Sequence, residues 1–315
     1  MKKAILMCIL IMSIFVTACS KNTSKNNDGT IRIASSYGMS YSPFEVMLQL
    51  NLIEKIAPNI HVEIITLTGS ATMNEAVIAG DIDIAGVGVT TFLIGHDRGV
   101  PYKIARALAD IELALQTNDP TIMSLTDIRP EHRIAVNSII STHNILLSMA
   151  ASNELGNVSA FENQVVVMNH ADATMALMNN IGVDLHFTSQ PYIFKQNAAG
   201  FHTILSESDV MGTEGFTSVV VAVTNNFAEN NPELLEIFMQ ALNEAVLLID
   251  NRNPDAIAII AKSEGISETE VIELLDSNKV SYAPEVRNML SYSELMQSMG
   301  YIENELKSMD EVLWK

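Results

Sequence analysis

Gly69-Ser-Ala-Thr-Met-Asn-Glu-Ala-Val-Ile-Ala-Gly-Asp-Ile-Asp-Ile-Ala-Gly-Val-Gly88 is the stretch from which the architecture unfolds. It opens on small and hydroxyl residues, which favour a turn and a helix start over a strand. Thr72 and Glu75 have capping-box spacing, and the helix they begin should stop at Gly80. Residues 82–85 then form a short apolar strand, closed by Gly86-Val-Gly-Val-Thr90-Thr91. A further helix starts there and runs to about Arg98. Upstream, residues 31–35 read as a strand that feeds the turn Ser36-Tyr-Gly-Met-Ser40. Ser42-Pro43-Phe44-Glu45 supplies an N-cap, a proline at the first helical position and a glutamate at the third. Phe44, Met47, Leu48 and Leu52 continue at helical spacing. Residues 61–67 alternate as a second strand. This β-α-β-α-β-α order predicts a parallel sheet with helices on its faces.

The cadence returns after residue 120. Residues 132–136, 164–168, 183–187 and 202–206 read as strands. Helices fall between them at 145–155, 171–179 and 191–198. Two extended stretches, 104–116 and 216–224, flank this middle segment. Only helices are expected after the second, beginning at Pro232, Pro254 and Ser267, with two more after Pro284. If those late helices return to the first unit, that unit is discontinuous, and the two flanking stretches form its hinge.

The amino terminus decides the compartment. Met1-Lys2-Lys3, an apolar run from Ala4 to Phe15 and small residues beyond it form an export signal, too short for a membrane span. Val16-Thr17-Ala18-Cys19 resembles a bacterial lipobox. That resemblance implies removal of residues 1–18 and lipidation of Cys19, which would anchor the chain to the outer face of the cell membrane. Residues 19–29 carry the lipidated cysteine and then a polar, flexible tether. The remaining cysteine, Cys8, leaves with the signal, so no disulfide is possible in the mature chain. With 37 acidic against 18 basic residues, the formal charge is −19. Such a surface repels nucleic acid, and the spread of the acid along the chain reads as a solvated face.

Three turns share one chemistry: Gly69 to Thr72, Gly88-Val89-Thr90-Thr91, and Ser138 to His143. Each joins a strand end to a helix start through small or hydroxyl residues. Free N–H groups at a helix N-terminus hold anions or polar oxygens, and hydroxyls turn to fit them. Any one of these turns, taken alone, reads better as a plain N-cap. Three of them, from two sheets, predict a shared cleft at the carboxyl ends of the strands.

The opening stretch also resembles the solute-binding proteins of nitrate/sulfonate/taurine ABC importers, a family that includes binders of thiamine precursors. Ala171-Asp-Ala-Thr-Met-Ala-Leu-Met-Asn-Asn-Ile-Gly-Val-Asp-Leu-His-Phe-Thr-Ser-Gln-Pro191-Tyr192 is similar to that family's second-lobe motif. Val223-Thr-Asn-Asn-Phe-Ala-Glu-Asn-Asn-Pro232 is similar to the segment after its return crossover. The resemblance spans most of residues 30–250. It implies an α/β, two-lobe type II periplasmic-binding-protein fold, each lobe a mostly parallel sheet flanked by helices, joined by a two-segment hinge. Lobe 1 would comprise 30–116 and 219–315, and lobe 2 would comprise 117–218. It also implies that Tyr37, Ser40, Ser70, Thr72, Gly88, Val89, Thr90, Ser141, Thr142, His143, His186, Gln190 and Tyr192 face the ligand. Many members carry a tryptophan after the second-lobe Val-Asp. Here Leu185-His186-Phe187 stands in that place, and the single tryptophan is Trp314.

The expected function is capture of a small polar or singly anionic solute, sulfonate-like or nitrate-like, and its delivery to ABC permease subunits by a monomer that is not an enzyme. The cleft turns hold no Arg or Lys, which disfavours a doubly charged anion. A neutral heterocycle such as a pyrimidine thiamine precursor, stacked on Tyr37, Tyr41 or Tyr192, is the alternative ligand. A ligand-sensing module for a membrane receptor is another reading, as is a binding-fold enzyme of cofactor biosynthesis. Export weighs against the enzyme, and the mature chain lacks the cysteine-rich iron motif of the fold relatives that make a thiamine precursor. No Gly-x-Ser-x-Gly elbow, His-Glu-x-x-His motif or paired cysteines are present, so neither a catalytic residue, a cofactor nor a metal is assigned. His170-Ala-Asp172 reads as a turn and helix start.

Overall fold

The computed structural model describes residues 29–67, 70–212 and 215–315, with the side chains of Ser70 and Ala71 left out. The expected signal segment, Cys19 and the tether up to residue 28 lie outside the described residues. Among the described residues no helix is long and apolar enough to cross a membrane.

The first sheet is nucleated by β1 (Thr30–Ser35), β2 (His61–Thr66) and β3 (Ile84–Gly88), paired in parallel with Ile33 beside Ile64 and Ile84. Between them run α1 (Ser42–Gln49), α2 (Leu52–Ile56) and α3 (Ser70–Ala79), with α4 (Val89–Asp97) after β3. The Phe44 helix breaks at Asn51, whose left-handed φ of 51° separates α1 from α2. Two capping expectations shift. Ser42 is the first residue of α1 rather than its cap, and α3 starts at Ser70, so Thr72 lies inside its first turn. The helices begin one and three residues early, where small or proline residues tolerate helical geometry.

The predicted extended stretch 104–116 is two strands in two different sheets. β4 (Tyr102–Ile111) stays in the first sheet, whereas β5 (Leu113–Thr117) pairs in the second. The second sheet adds β6 (Ile134–Val136), β7 (Val165–Val167), β8 (Leu185–Ser189) and β9 (His202–Ser206), in the order β7-β6-β8-β5-β9. Its helices are α5 (Thr142–Leu155), α6 (His170–Met178), α7 (Tyr192–Ala198) and the short α8 (Glu207–Met211). The chain returns through β10 (Val219–Thr224), which inserts between β3 and β4. Both faces of β10 are covered, as its nearly unbroken valine run requires.

Each sheet is therefore mixed. β6 pairs in parallel with β7 and β8, but β5 lies antiparallel between β8 and β9, and β10 lies antiparallel between β3 and β4. The mostly parallel pairing expected from the β-α cadence holds only where a helix makes the crossover. A strand that carries the chain from one sheet to the other has no such helix and enters reversed.

The tail is not purely helical. After α9 (Asn225–Asn230), α10 (Pro232–Asp250), α11 (Pro254–Glu264) and α12 (Glu268–Asp276) comes the two-residue β11 (Val280–Ser281), which extends the first sheet beside β4. α13 (Met289–Ser298) follows, and Leu313 bridges Ile104 near the end. α10 anchors this return. Leu235, Phe238, Ala241, Leu242, Ala245 and Ile249 are buried at helical spacing, and Phe238 meets Phe44 edge-on at 5.9 Å. Each large side chain so buried contributes roughly 1.5–3 kcal/mol.

Candidate functional site

The carboxyl ends of β3, β6, β7 and β8 all lead directly or through a short turn into helices. Parallel pairing puts the last three on one edge of the second sheet. The two sheets meet along that edge. Thr90, at the start of α4, lies 3.1 Å hydroxyl to hydroxyl from Thr142 at the start of α5. Thr90 and Thr91 also donate to the Ile140 carbonyl at 3.3 and 3.4 Å. A Cβ at Gly88 would meet Thr142 Oγ1 at 3.6 Å, an ordinary contact that places Gly88 beside α5, and the Val89 N–H donates to the Ser218 carbonyl at 3.0 Å. Gly88, Thr90 and Thr142, expected from sequence to share a cleft, are thus brought together.

Ser141 caps α5. Its hydroxyl donates to the Ser138 carbonyl at 2.7 Å and accepts from the Asn144 N–H. Thr142 and His143, one and two residues further on, turn to the neighbouring elements. His143 is buried, and neither ring nitrogen has a hydrogen-bond partner. Asn137 Oδ1, directly beyond the end of β6, is likewise buried and unpartnered. A buried polar atom without a partner costs about 1–3 kcal/mol, so such atoms call for an occupant.

His143 belongs to a cluster that the sequence does not announce. Its ring meets His170 edge-on at 4.7 Å and Phe187 at 5.8 Å. His170 lies 5.2 Å from the His186 ring and 5.6 Å from the Tyr192 ring. His186 is fully buried, with Nε2 3.0 Å from His170 Nδ1 and Nδ1 2.8 Å from Gln196 Nε2. Burial holds His143 and His186 well below the usual imidazole range and lowers His170 to about 4. At neutral pH all three rings are uncharged. Burial also pushes the Tyr192 phenol up to about 12, and the Lys195 ammonium stands 5.5 Å over its ring. Among the described residues no group of three or more His, Cys, Asp or Glu side chains is arranged to hold a metal ion.

The other expected residues lie elsewhere. Gln190 is buried at the crossing between the sheets, donating to Glu112 at 2.7 Å and accepting from the Phe194 N–H, while Lys279 pairs with the same Glu112 at 3.0 Å. Tyr37 is 67% exposed on the turn after β1, Ser40 is buried in the 3-10 turn at Met39–Tyr41, and Thr72 is exposed on α3. The Ser70 side chain lies outside the described residues. Sequence reasoning missed His170, Gln196 and Asn137, whereas Thr188 lies within the 186–192 segment expected to face the cleft. His170 is the first residue of α6, as its helix-start pattern predicts, and that position also delivers its ring to the cluster.

Residues 57–256 match the model of a family described as NMT1/THI5 like. No curated protein matches the chain. Among solved structures, the alkanesulfonate-binding protein SsuA from Xanthomonas axonopodis pv. citri, bound to MOPS, superposes with a TM-score of 0.73 at 16% identity, covering 91% of this chain and 98% of that one. The periplasmic nitrate-binding protein NrtA from Synechocystis PCC 6803 gives 0.70 at 12% identity, covering 91% and 86%. A Candida albicans protein, the CA3427 gene product, described as having the generic periplasmic binding protein fold, gives 0.70 at 14% identity, covering 91% and 96%. These likenesses establish the fold: two mixed sheets with helices in the periplasmic-binding-protein arrangement.

Proposed function

The chain belongs to the NMT1/THI5-like family, and on that premise we propose that it is an extracytoplasmic solute-binding protein of an ABC importer, and not an enzyme. Its lobes would be residues 30–112 with 219–315, and residues 113–218, since β5 pairs wholly within the second sheet. The solute sits where the turn after β3 faces the turns after β6, β7 and β8. The observation that carries this reading is the set of buried polar atoms left open at that seam: Asn137 Oδ1 and both nitrogens of His143. They accompany hydroxyls from both sheets, so an occupant touching both would favour the closed arrangement.

The chemistry supports a small polar or singly charged anion. Uncharged imidazoles, threonine hydroxyls and helix N-termini supply donors without a full positive charge. Sulfonate and nitrate, the ligands named for the fold relatives, are of this class. The rings of Tyr192, Phe187 and His143 would also accept a flat neutral heterocycle, which is the second reading. The lipid anchor on Cys19 and the monomeric state are part of the same proposal, and the intact mass of the membrane-bound chain tests the anchor. A thermal-shift screen of residues 20–315 against sulfonates, nitrate, pyrimidines and amino acids tests the binding. A ligand at a hundred times its Kd should add about 2.7 kcal/mol. If no compound moves the melting curve while a hydrolase panel shows turnover, the binding reading is wrong.

A further inference from the structure

Gln196 is fully buried on α7, on the far side of His186 from His170. Its side-chain nitrogen lies 3.1 Å from Thr174 Oγ1 and 2.8 Å from His186 Nδ1. An amide nitrogen has two hydrogens to donate and accepts nothing. It therefore donates to both neighbours, and His186 Nδ1 is an acceptor. A neutral imidazole with a bare Nδ1 carries its proton on Nε2. His186 Nε2 points at His170 Nδ1 from 3.0 Å, so His186 donates and His170 Nδ1 accepts. The Thr188 hydroxyl, 3.1 Å from the same His170 nitrogen, turns to suit either state. His170 must then hold its own proton on Nε2, which makes no hydrogen bond to the described residues. Its ring lies against His143 and Tyr192 at the seam.

We infer that Gln196, His186 and His170 form a tautomer relay, in which a buried amide fixes His170 as a hydrogen-bond donor toward the solute and so selects a solute offering an acceptor at that point. This inference rests on the solute-binding reading of the seam. The relay requires that each ring carry one proton, which the burial of both histidines ensures at neutral pH. His170 is the specificity-determining residue, and Gln196 is a positioning residue that acts through His186 without touching the solute. An anion such as a sulfonate, rich in acceptors and without donors, matches an outward N–H, and a relay running the other way would present a lone pair and repel it. With the nitrogen on this side, Gln196 Oε1 is buried without a hydrogen-bond partner; a half-turn of the amide would place Oε1 against His186 and reverse every proton in the chain, so the ring tautomers report the amide orientation directly.

Long-range ¹H–¹⁵N correlation spectra of histidine-labelled protein at pH 7, without solute, read each tautomer directly. The relay predicts a proton on Nε2 of both His186 and His170. Gln196→Met, which removes the amide at similar volume, should release both rings from a single tautomer together. It should also weaken methanesulfonate binding by about tenfold to a hundredfold, the loss expected for one hydrogen bond to a charged group. A proton on Nδ1 of either ring in the unaltered protein overturns the relay, and that spectrum needs no variant to fold. A Met variant with unchanged His170 tautomer and unchanged methanesulfonate affinity overturns it as well. Unaltered protein that shows the expected tautomers yet ignores methanesulfonate refutes the solute class and leaves the relay standing.

Discussion

Glu207 opens α8, just after the last strand of the second sheet, and accepts a hydrogen bond from the Tyr292 hydroxyl on α13, which packs with the first-sheet helices. Glu207 is 8% exposed, and Phe216 closes over Tyr292 edge-on at 5.4 Å. Burial raises Glu207 from 4.5 to about 8, the phenol's hydrogen bond offsetting part of the rise. In the unfolded chain the same acid loses its proton near 4.5. Between those values the folded protein binds the additional proton, so stability from this group is fully present below pH 4.5 and is lost as pH rises through 8. At about 1.4 kcal/mol for each pH unit across that gap, the loss amounts to about 5 kcal/mol. Glu207→Gln keeps an acceptor for Tyr292 and does not titrate. Urea denaturation of both proteins at pH 5, 6, 7, 8 and 9 gives the difference in stability. Variant minus wild type should climb by on the order of 1 kcal/mol for each pH unit from 5 to 8 and then level off. A difference that stays constant across this range would mean that Glu207 is ionised in the fold, and the tie between the two sheets would have to be redrawn as a carboxylate–phenol pair.

Two other perturbations address the seam and the helix behind it. Thr142→Asp replaces a hydroxyl that lies 3.1 Å from the Thr90 hydroxyl with a carboxylate, where the proposed anion meets donors. It should abolish sulfonate binding in a calorimeter and also lower the melting temperature, because Thr142 is buried, although an acid in the first turn of a helix offsets part of that cost; unchanged affinity would reduce these turns to caps. Gly95→Ala on α4 directs a Cβ into the Tyr102 hydroxyl and to 2.9 Å from Asn74 Nδ2. Tyr102 bonds Asn74 and the Phe92 carbonyl and stacks on Phe92 at 4.6 Å. The variant should lose about 3 kcal/mol in urea titrations, and a loss under about 0.5 kcal/mol would show that the tyrosine moves aside freely.

The fold was legible because its signals are local. The valine run of β10, the break at Gly80 and the helix-start residues at 138–143 each act over a few positions, and the structure places a strand, a helix end and a helix start there. What stayed hidden depends on distance. Nothing near Gln190 says that its partner is Glu112, and nothing near His143, His170, His186 or Gln196 says that they touch, since each alone resembles a surface or core residue. The antiparallel entry of β5 and β10 is hidden for the same reason: it follows from the chain changing sheets, which no short window records. A subtler ambiguity lies in the caps themselves. Helix N-termini at the carboxyl edge of a parallel sheet satisfy the helix and greet a ligand with the same residue types. In α5 the structure divides that labour. The Ser141 hydroxyl is occupied by Ser138 and Asn144, whereas Thr142 reaches the other sheet and His143 keeps both nitrogens open. One residue of register separates the cap from the contact, and helix boundaries inferred from sequence are uncertain by more than that. For this class of site the identity of the cap, settled only by where the helix begins, decides which side chain is left to meet the solute.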